Sequence, residues 1–369
     1  VKAKDEPDLQ KWRALFEVPE EERRVLANAL ATCLRETLSF VAAGASASAA
    51  RARWSELTQG AVDRAKGELA GYGTYLRRPT HPPVRNVRRG RLGGEVTVAF
   101  SLDRNYLVHL PIVLHSIRMN TEADLNLVFL TRGLDDREVT VAASIAQPTD
   151  VMIFPMEKYL SDIDIRQGPG KTTSVLDRLF FPDLLPNLDR LVYLDLDLIV
   201  RGDVAELASF EPSARGIAAR PTPNTNWATA VRAFELRSME LDPGRARRLR
   251  GLAAAATDLA GPYFNAGVLV LSLERLRKRR FIPKALRVMK EFGLNDQDTM
   301  NLFAGGDFTR LPWIWNANPH FELVDGAKLI HWAGVNKPWL DKPVLAKRFW
   351  QQYAVNLATA DEHVGSPTR

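Results

Sequence analysis

The sequence predicts an α/β protein built on a mostly parallel sheet, preceded by a helical region. Two observations predict it. From Glu95 onward, short apolar runs of strand length alternate with helical segments, and strands separated by helices build a largely parallel sheet covered on both faces. Before that point the apolar residues recur at helical spacing instead.

The helical region is expected over residues 1–78. Leu26, Leu30, Leu34, Leu38 and Val41 fall on one face at a 3.6 period, with Ala29, Cys33 and Thr37 beside them. Pro19 followed by Glu20, Glu21 and Glu22 makes a helix start, because proline suits the first turn and acids complement the dipole. A second helix is expected from near Ser48 to Leu76, weakened by Gly60, Gly67, Gly71 and Gly73. The apolar stripe needs a partner surface: the neighbouring domain, a helical hairpin or, less directly, a homo-oligomer interface. Residues 79–94 are rich in Pro, Gly and Arg and read as a linker.

The α/β domain is expected over residues 95–345, with a C-terminal helix and tail over 346–369. Val96–Phe100, Leu125–Leu130, Val151–Phe154, Leu191–Val200 and Gly267–Leu271 read as strands. Leu107–Met119 and Asp135–Ser144 read as helices. In sheets of this kind ligands sit beyond the carboxyl ends of the strands, so polar residues there are the candidates for function.

Composition narrows the classes. A chain of 369 residues can bury one large core or two ordinary ones, and 46% apolar with 25% charged residues is an ordinary globular balance. No run approaches the roughly 18 apolar residues that a membrane span needs, and no signal-peptide pattern follows Val1. Cys33 is the only cysteine, which excludes an internal disulfide or a cysteine-built zinc site and fits a reducing, cytoplasmic compartment. The net charge of +6 suits phosphorylated ligands or peripheral contact with an anionic membrane. No stripe of aromatics interleaves the basic residues, so nucleic acid is not expected as a partner.

The most informative segment runs from Arg190 to Val200. Asp195 and Asp197 interrupt a buried apolar run, which is costly unless they are paired or bind metal. Strand alternation would put both on one face, roughly 7 Å apart. Two such oxygens can share a hard divalent ion and leave positions open for a diphosphate. The bland reading is that one aspartate caps a turn and the other meets solvent. A second segment, Ala327 to Trp339, ends a short strand at His331, then offers Gly334 for close backbone approach and Lys337 as a point charge for phosphate. Alone, His331 would read as a satisfied core residue.

Taken together and in order, the motifs resemble those of glycosyltransferase family 8, the retaining family of glycogenin and bacterial lipopolysaccharide glucosyl- and galactosyltransferases. They are Phe100-Ser-Leu-Asp103-Arg-Asn105-Tyr106, Thr172 to Leu179 with an inward Arg178, Tyr193-Leu-Asp195-Leu196-Asp197, Tyr263-Phe-Asn265-Ala266-Gly267-Val, Asp296-Gln297-Asp298, and His331-x-x-Gly334-x-x-Lys337-Pro-Trp339. The resemblance covers about residues 95–340.

It implies a GT-A type, Rossmann-like nucleotide-sugar-binding domain and a metal-dependent hexosyltransferase. The donor would be a UDP-sugar (UDP-glucose or UDP-galactose). The acceptor, a glycan, a lipid-linked sugar or a small molecule, is not identified. Asp195, Asp197 and His331 would hold Mn²⁺ or Mg²⁺ against the donor diphosphate, a donor set that suits Mn²⁺. Asp103, Asn105 and Tyr106 would lie at the uridine, with Asp103 accepting the uracil imide N–H. Gly334 and Lys337 would touch diphosphate, and Leu196, Ala266 and Gly267 would line the donor. Arg178, Asn265, Asp296 and Gln297 would surround the transferred sugar as the catalytic set. Plainer roles stand beside these. Asn265 could be a turn residue, Arg178 could pair with Asp177 or Asp183, and Asp296 could cap its helix.

Leu176 and Asp177 depart from the family's usual aromatic before the arginine, which leaves the donor sugar open. Arg220–Gly261 falls where acceptor loops vary and receives no catalytic residue. Gly168-Pro-Gly170-Lys171-Thr172 resembles a phosphate-cradling P-loop, but Ile165 stands where the leading glycine belongs. Rival readings are a UDP-sugar hydrolase, a nucleotidyltransferase and a non-catalytic UDP-sugar-binding scaffold.

Overall fold

The structure is a computed structural model. It describes residues 94–157, 173–238, 243–256 and 258–364, together with 46, 49, 52 and 53. Contacts divide the chain into two units, Val1–Arg78 and Pro79–Arg369. In the first, residues 49, 52 and 53 are helical and the Ala49 N–H donates to Ser46 Oγ at 3.2 Å. The apolar stripe Leu26–Val41, the linker up to residue 93 and the P-loop-like run 168–172 lie outside the described residues.

The second unit is built on a seven-stranded sheet in the order β3-β2-β1-β4-β7-β6-β8. Its strands are β1 (Val96–Asp103), β2 (Leu125–Arg132), β3 (Asp150–Pro155), β4 (Arg190–Leu194), β6 (Ile217–Asn226), β7 (Pro262–Ser272) and β8 (Thr309–Arg310). Four neighbouring strands, β3, β2, β1 and β4, run parallel and are joined by helical crossovers rather than hairpins, and β8 runs parallel to β6. β7 alone among these opposes both its neighbours, β4 and β6. The sheet is therefore mixed but mostly parallel, as the sequence predicts. A smaller sheet holds β5 (Leu198–Val200), β10 (Leu329–His331) and β9 (Trp315–Ala317) in that order.

Alternation along β1 explains how the sheet is sandwiched. Val96, Val98, Phe100 and Leu102 join the core beneath the helices Leu110–Arg118 and Asp136–Ala146. On β4, Val192 and Leu194 face that core too, whereas Tyr193 lies 5.9 Å from the Phe181 ring. The helix Asp136–Ala146 starts where a capping box dictates: Asp135 accepts from the Glu138 N–H and Glu138 accepts from the Asp135 N–H, both at 2.9 Å.

Two expectations need correction. The helix expected over Leu107–Met119 is two pieces, Arg104–Leu107 and Leu110–Arg118, because Pro111 lacks an N–H and is accommodated only in a first turn. The apolar run Leu191–Val200 is likewise not one strand. It breaks at Asp195–Asp197 into β4 and β5, which belong to different sheets. The two aspartates share a site because the chain bends between sheets, not because a strand alternates.

Candidate active site

The bend is pinned on both sides. The Asp195 N–H donates to Gly267 O at 2.8 Å, and the Trp332 N–H donates to Asp197 O at 2.9 Å. These bonds bring β7 and the end of β10 against the aspartates. One ligand atom each from Asp195, Asp197 and His331 then lies within 4.8 Å of the other two. His331 Nε2 is 3.1 Å from Asp197 Oδ1 and 3.7 Å from Asp195 Oδ2.

Gly267 completes the arrangement by what it lacks. A Cβ there would stand 2.2 Å from His331 Cε1, 2.6 Å from Asp195 Oδ2 and 3.0 Å from Asn265 Oδ1, against two of the three ligands. Two carboxylates and an imidazole around a cradle that any side chain would fill fit a hard divalent cation.

Two cations balance the carboxylates. Lys337 donates to Asp197 Oδ2 and, at 3.2 Å, to Trp332 O. Burial opposes ionisation of Asp197, but His331 and Lys337 outweigh it and hold its carboxyl well below the usual range. The lysine loop is anchored by Trp339, whose ring stacks on His109 at 3.8 Å and meets Tyr106 edge-on at 5.7 Å. The Tyr106 hydroxyl is pushed up first by burial and then by Asp197 and Asp195, so it faces the same acidic centre. Gly334 carries φ +107 with nothing near its would-be Cβ, leaving its backbone open to a ligand.

Arg178, 4% exposed, is the second cation and comes from the 3₁₀ helix Thr173–Phe180. Its guanidinium reaches Asp195 Oδ1 at 2.9 Å, Asp296 Oδ2 at 3.2 Å and Ala266 O at 2.6 Å, and lies over the Tyr193 ring. Burial opposes its charge, but the surrounding acids keep it firmly protonated. Tyr193 also donates to Asp195 Oδ1, at 2.7 Å. Asp177 pairs with Arg132 and is fully buried.

Asn265, Gln297 and Asp296 adjoin this centre. Asn265 Nδ2 and the Ala266 N–H both donate to Gln297 Oε1 at 3.1 Å. Asp296 does not cap its helix. Asn295 does, accepting from the Asp298 N–H at 2.7 Å, which leaves the buried Asp296 carboxylate for Arg178.

The uridine candidates lie at the end of β1. Asp103 Oδ1 accepts from the Asn105 and Tyr106 N–H groups at 2.9 and 3.3 Å, capping the helix Arg104–Leu107, while the Asn105 side chain is exposed. Leu196 is buried in the core, so only its backbone faces the site.

One residue escapes a reading of the sequence. Asn316, on β9 and 5% exposed, meets His331 Nδ1 with Oδ1 at 2.8 Å and donates from Nδ2 to Asn265 Oδ1 at 3.0 Å. Its φ of +152 lies in a region that non-glycine residues occupy at a cost of about 1–3 kcal/mol. Arg220, buried and paired with Glu322, donates to its carbonyl at 2.6 Å and fixes that backbone. An asparagine between Trp315 and Ala317 was the only local signal.

The sequence profile of Glycosyl transferase family 8 matches residues 97–343, which take in every motif just described. The chain belongs to glycosyl transferase family 8. It is a glycosyltransferase, and relatives agree. "Probable galacturonosyltransferase-like 4" of Arabidopsis thaliana is 24% identical over 76% of this chain and 88% of its own length. "Lipopolysaccharide 1,2-glucosyltransferase" of Escherichia coli K12 is 26% identical over 66% and 72%. Among solved structures, the bifunctional glycosyltransferase WbbM superposes with TM-score 0.58 at 22% identity over 74% of this chain, which spans 51% of WbbM. The galactosyltransferase LgtC, in complex with donor and acceptor sugar analogs, superposes with TM-score 0.52 at 15% identity over 71% of this chain and 96% of its own. The fold of this family-8 chain is accordingly of the GT-A type.

Proposed function

We propose that this family-8 chain transfers a hexosyl group from a UDP-sugar to an acceptor hydroxyl with retention at the anomeric carbon. The observation that carries the reading is the convergence of Asp195, Asp197 and His331 around the space kept clear by Gly267, beside Lys337 and next to Asn265 and Gln297. A metal ion there, Mn²⁺ by the chemistry of its ligands, would neutralise charge on the donor diphosphate. Lys337 places an ammonium at the same end and meets the charge that grows on departing UDP. Asp103 reads the base, and Tyr106 with the Trp339 loop forms the wall between base and diphosphate. The acceptor remains a glycan, a lipid-linked sugar or a small molecule, since no assigned residue selects among them.

Gln297 bears on the mechanism. Its Oε1 already accepts two N–H groups, from Asn265 and Ala266, which uses both lone pairs of an sp² oxygen. An amide oxygen so engaged is a poor nucleophile, which supports attack of the acceptor on the same face that UDP leaves. The acceptor proton then passes to the leaving phosphate oxygen, and Gln297 with Asn265 orients the sugar hydroxyls.

The test is a UDP-release assay with Mn²⁺ across UDP-glucose, UDP-galactose, UDP-N-acetylglucosamine and UDP-galacturonate, with and without sugar acceptors. Acceptor-dependent release and an α-linked product are expected. Equal release without acceptor would make the enzyme a hydrolase, and no release with any UDP-sugar would overturn the donor class.

A further inference from the structure

We infer that Asn316 is a positioning residue that fixes the tautomer of His331 and ties it to the sugar-facing pair Asn265 and Gln297. The inference rests on the metal-dependent reading above.

The direction of every bond in this chain of groups follows from one backbone amide. The Gly267 N–H can only donate, and it donates to Asn265 Oδ1 at 2.9 Å. The Asn265 atom facing Asn316 is therefore an acceptor. Asn316 must turn its NH₂ toward it, over 3.0 Å, which leaves its oxygen facing His331 Nδ1 at 2.8 Å. An oxygen there requires a proton on Nδ1. With Nδ1 committed to Asn316, it is Nε2 that turns to Asp195 and Asp197: it donates to Asp197 Oδ1 at 3.1 Å and is the nitrogen that would exchange that proton for a cation.

The same logic runs the other way. Asn265 Nδ2 donates to Gln297 Oε1, and Gln297 Nε2 donates to Tyr263 OH at 3.4 Å, which itself donates to Asp298. Asn316 thus touches both the histidine and the amides beside it. Its location is enforced rather than incidental. The backbone is held at a φ that favours glycine, and the buried Arg220–Glu322 pair grips its carbonyl. A glycine would relieve that backbone but supply no amide.

Three variants separate the roles. Asn316→Gly removes the amide and relaxes the backbone, and Asn316→Ala removes the amide but keeps the strain. Asn316→Asp can still accept from His331 Nδ1 but opposes an oxygen to Asn265 Oδ1. Mn²⁺ affinity, read by electron paramagnetic resonance of free Mn²⁺, should fall about 10–100-fold in both the Gly and Ala variants. In Asn316→Asp it should stay within about threefold of the wild type, while kcat falls and donor KM changes little. Wild-type affinity in Asn316→Gly, or equal loss in the Gly and Asp variants, would overturn the inference.

A readout without metal distinguishes its failure from failure of the metal reading. Two-bond ¹H–¹⁵N spectra of histidine-labelled, metal-free protein report directly whether Nδ1 carries a proton. The wild type should show a proton on His331 Nδ1 whether or not Nε2 carries one, and Asn316→Gly should lose the proton from Nδ1. A bare Nδ1 in the wild type would overturn the inference whatever the metal does. An Nδ1 proton in a wild type that binds no Mn²⁺ would sink the metal reading and leave the positioning role intact.

Discussion

Gly267 and His331 stand so close that a single methyl group could not be placed between them: a Cβ on Gly267 would lie 2.2 Å from His331 Cε1. Gly267→Ala should therefore displace the histidine or the strand that carries it. The expected cost is about 1–3 kcal/mol of stability, as in other overpacked sites. Mn²⁺ binding should be lost even where the variant remains folded by circular dichroism. An alanine variant with unchanged Mn²⁺ affinity would show that the cradle is not the metal site.

Arg178 holds two carboxylates at once, Asp195 and Asp296. Arg178→Met should leave the buried Asp296 without this partner beside a part-exposed Asp195, at a cost of about 3–5 kcal/mol. Asp296 is already pushed up by burial, which Arg178 only partly offsets. Adding Asp296→Asn should recover a measurable part of the loss in urea unfolding. Additive losses in that double-mutant cycle would mean that the two side chains do not act as a pair.

Asp103 caps a helix with one oxygen while being the candidate for the uracil imide. Asp103→Asn keeps an acceptor for the cap but presents a less basic, neutral group to the base. Thermal protection by uridine nucleotides should drop toward that given by cytidine nucleotides, with the ligand-free Tm nearly unchanged. Asp103→Ala should lose both, including the roughly 1 kcal/mol of a cap. Undiminished uridine preference in the asparagine variant would move base recognition elsewhere.

Asp177 gives the stability of the fold a pH dependence. Burial pushes its carboxyl up to about 7, against the partial opposition of Arg132 and Arg178. A folded value above the unfolded one means that the neutral form favours folding. Its contribution is greatest below about pH 4 and is lost as pH rises toward 7. Asp177→Asn should therefore gain stability relative to the wild type across that window, on the order of 1–3 kcal/mol in denaturant titrations. A stability difference independent of pH would show that Asp177 stays ionised throughout.

Lys337 should separate binding from turnover. Lys337→Ala removes one cation from Asp197 but leaves the three ligands in place, so Mn²⁺ affinity should change little. Turnover should fall by the equivalent of about 2–4 kcal/mol, the usual loss for one charged contact to a developing anion. A loss confined to donor KM would make it a binding residue only.

Much of this site was legible in the sequence because chemistry that is costly to bury announces itself. Asp195 and Asp197 inside an apolar run, Gly267 after Asn265, and Lys337 six residues past His331 each mark a place where packing alone cannot explain the residue. Their order along the chain identified the family and the fold, and the alternation of strands with helices gave the mostly parallel sheet. Nothing local, however, says which segments will meet. Only the tertiary structure broke Leu191–Val200 into two sheets, brought Arg178 to Asp195 and Asp296, and set Asn316 between His331 and Asn265. The physical reason is that a hydrogen bond is fixed by distance and direction in space. Asn316 lies 51 residues from Asn265 along the chain and 3.0 Å from it in the fold.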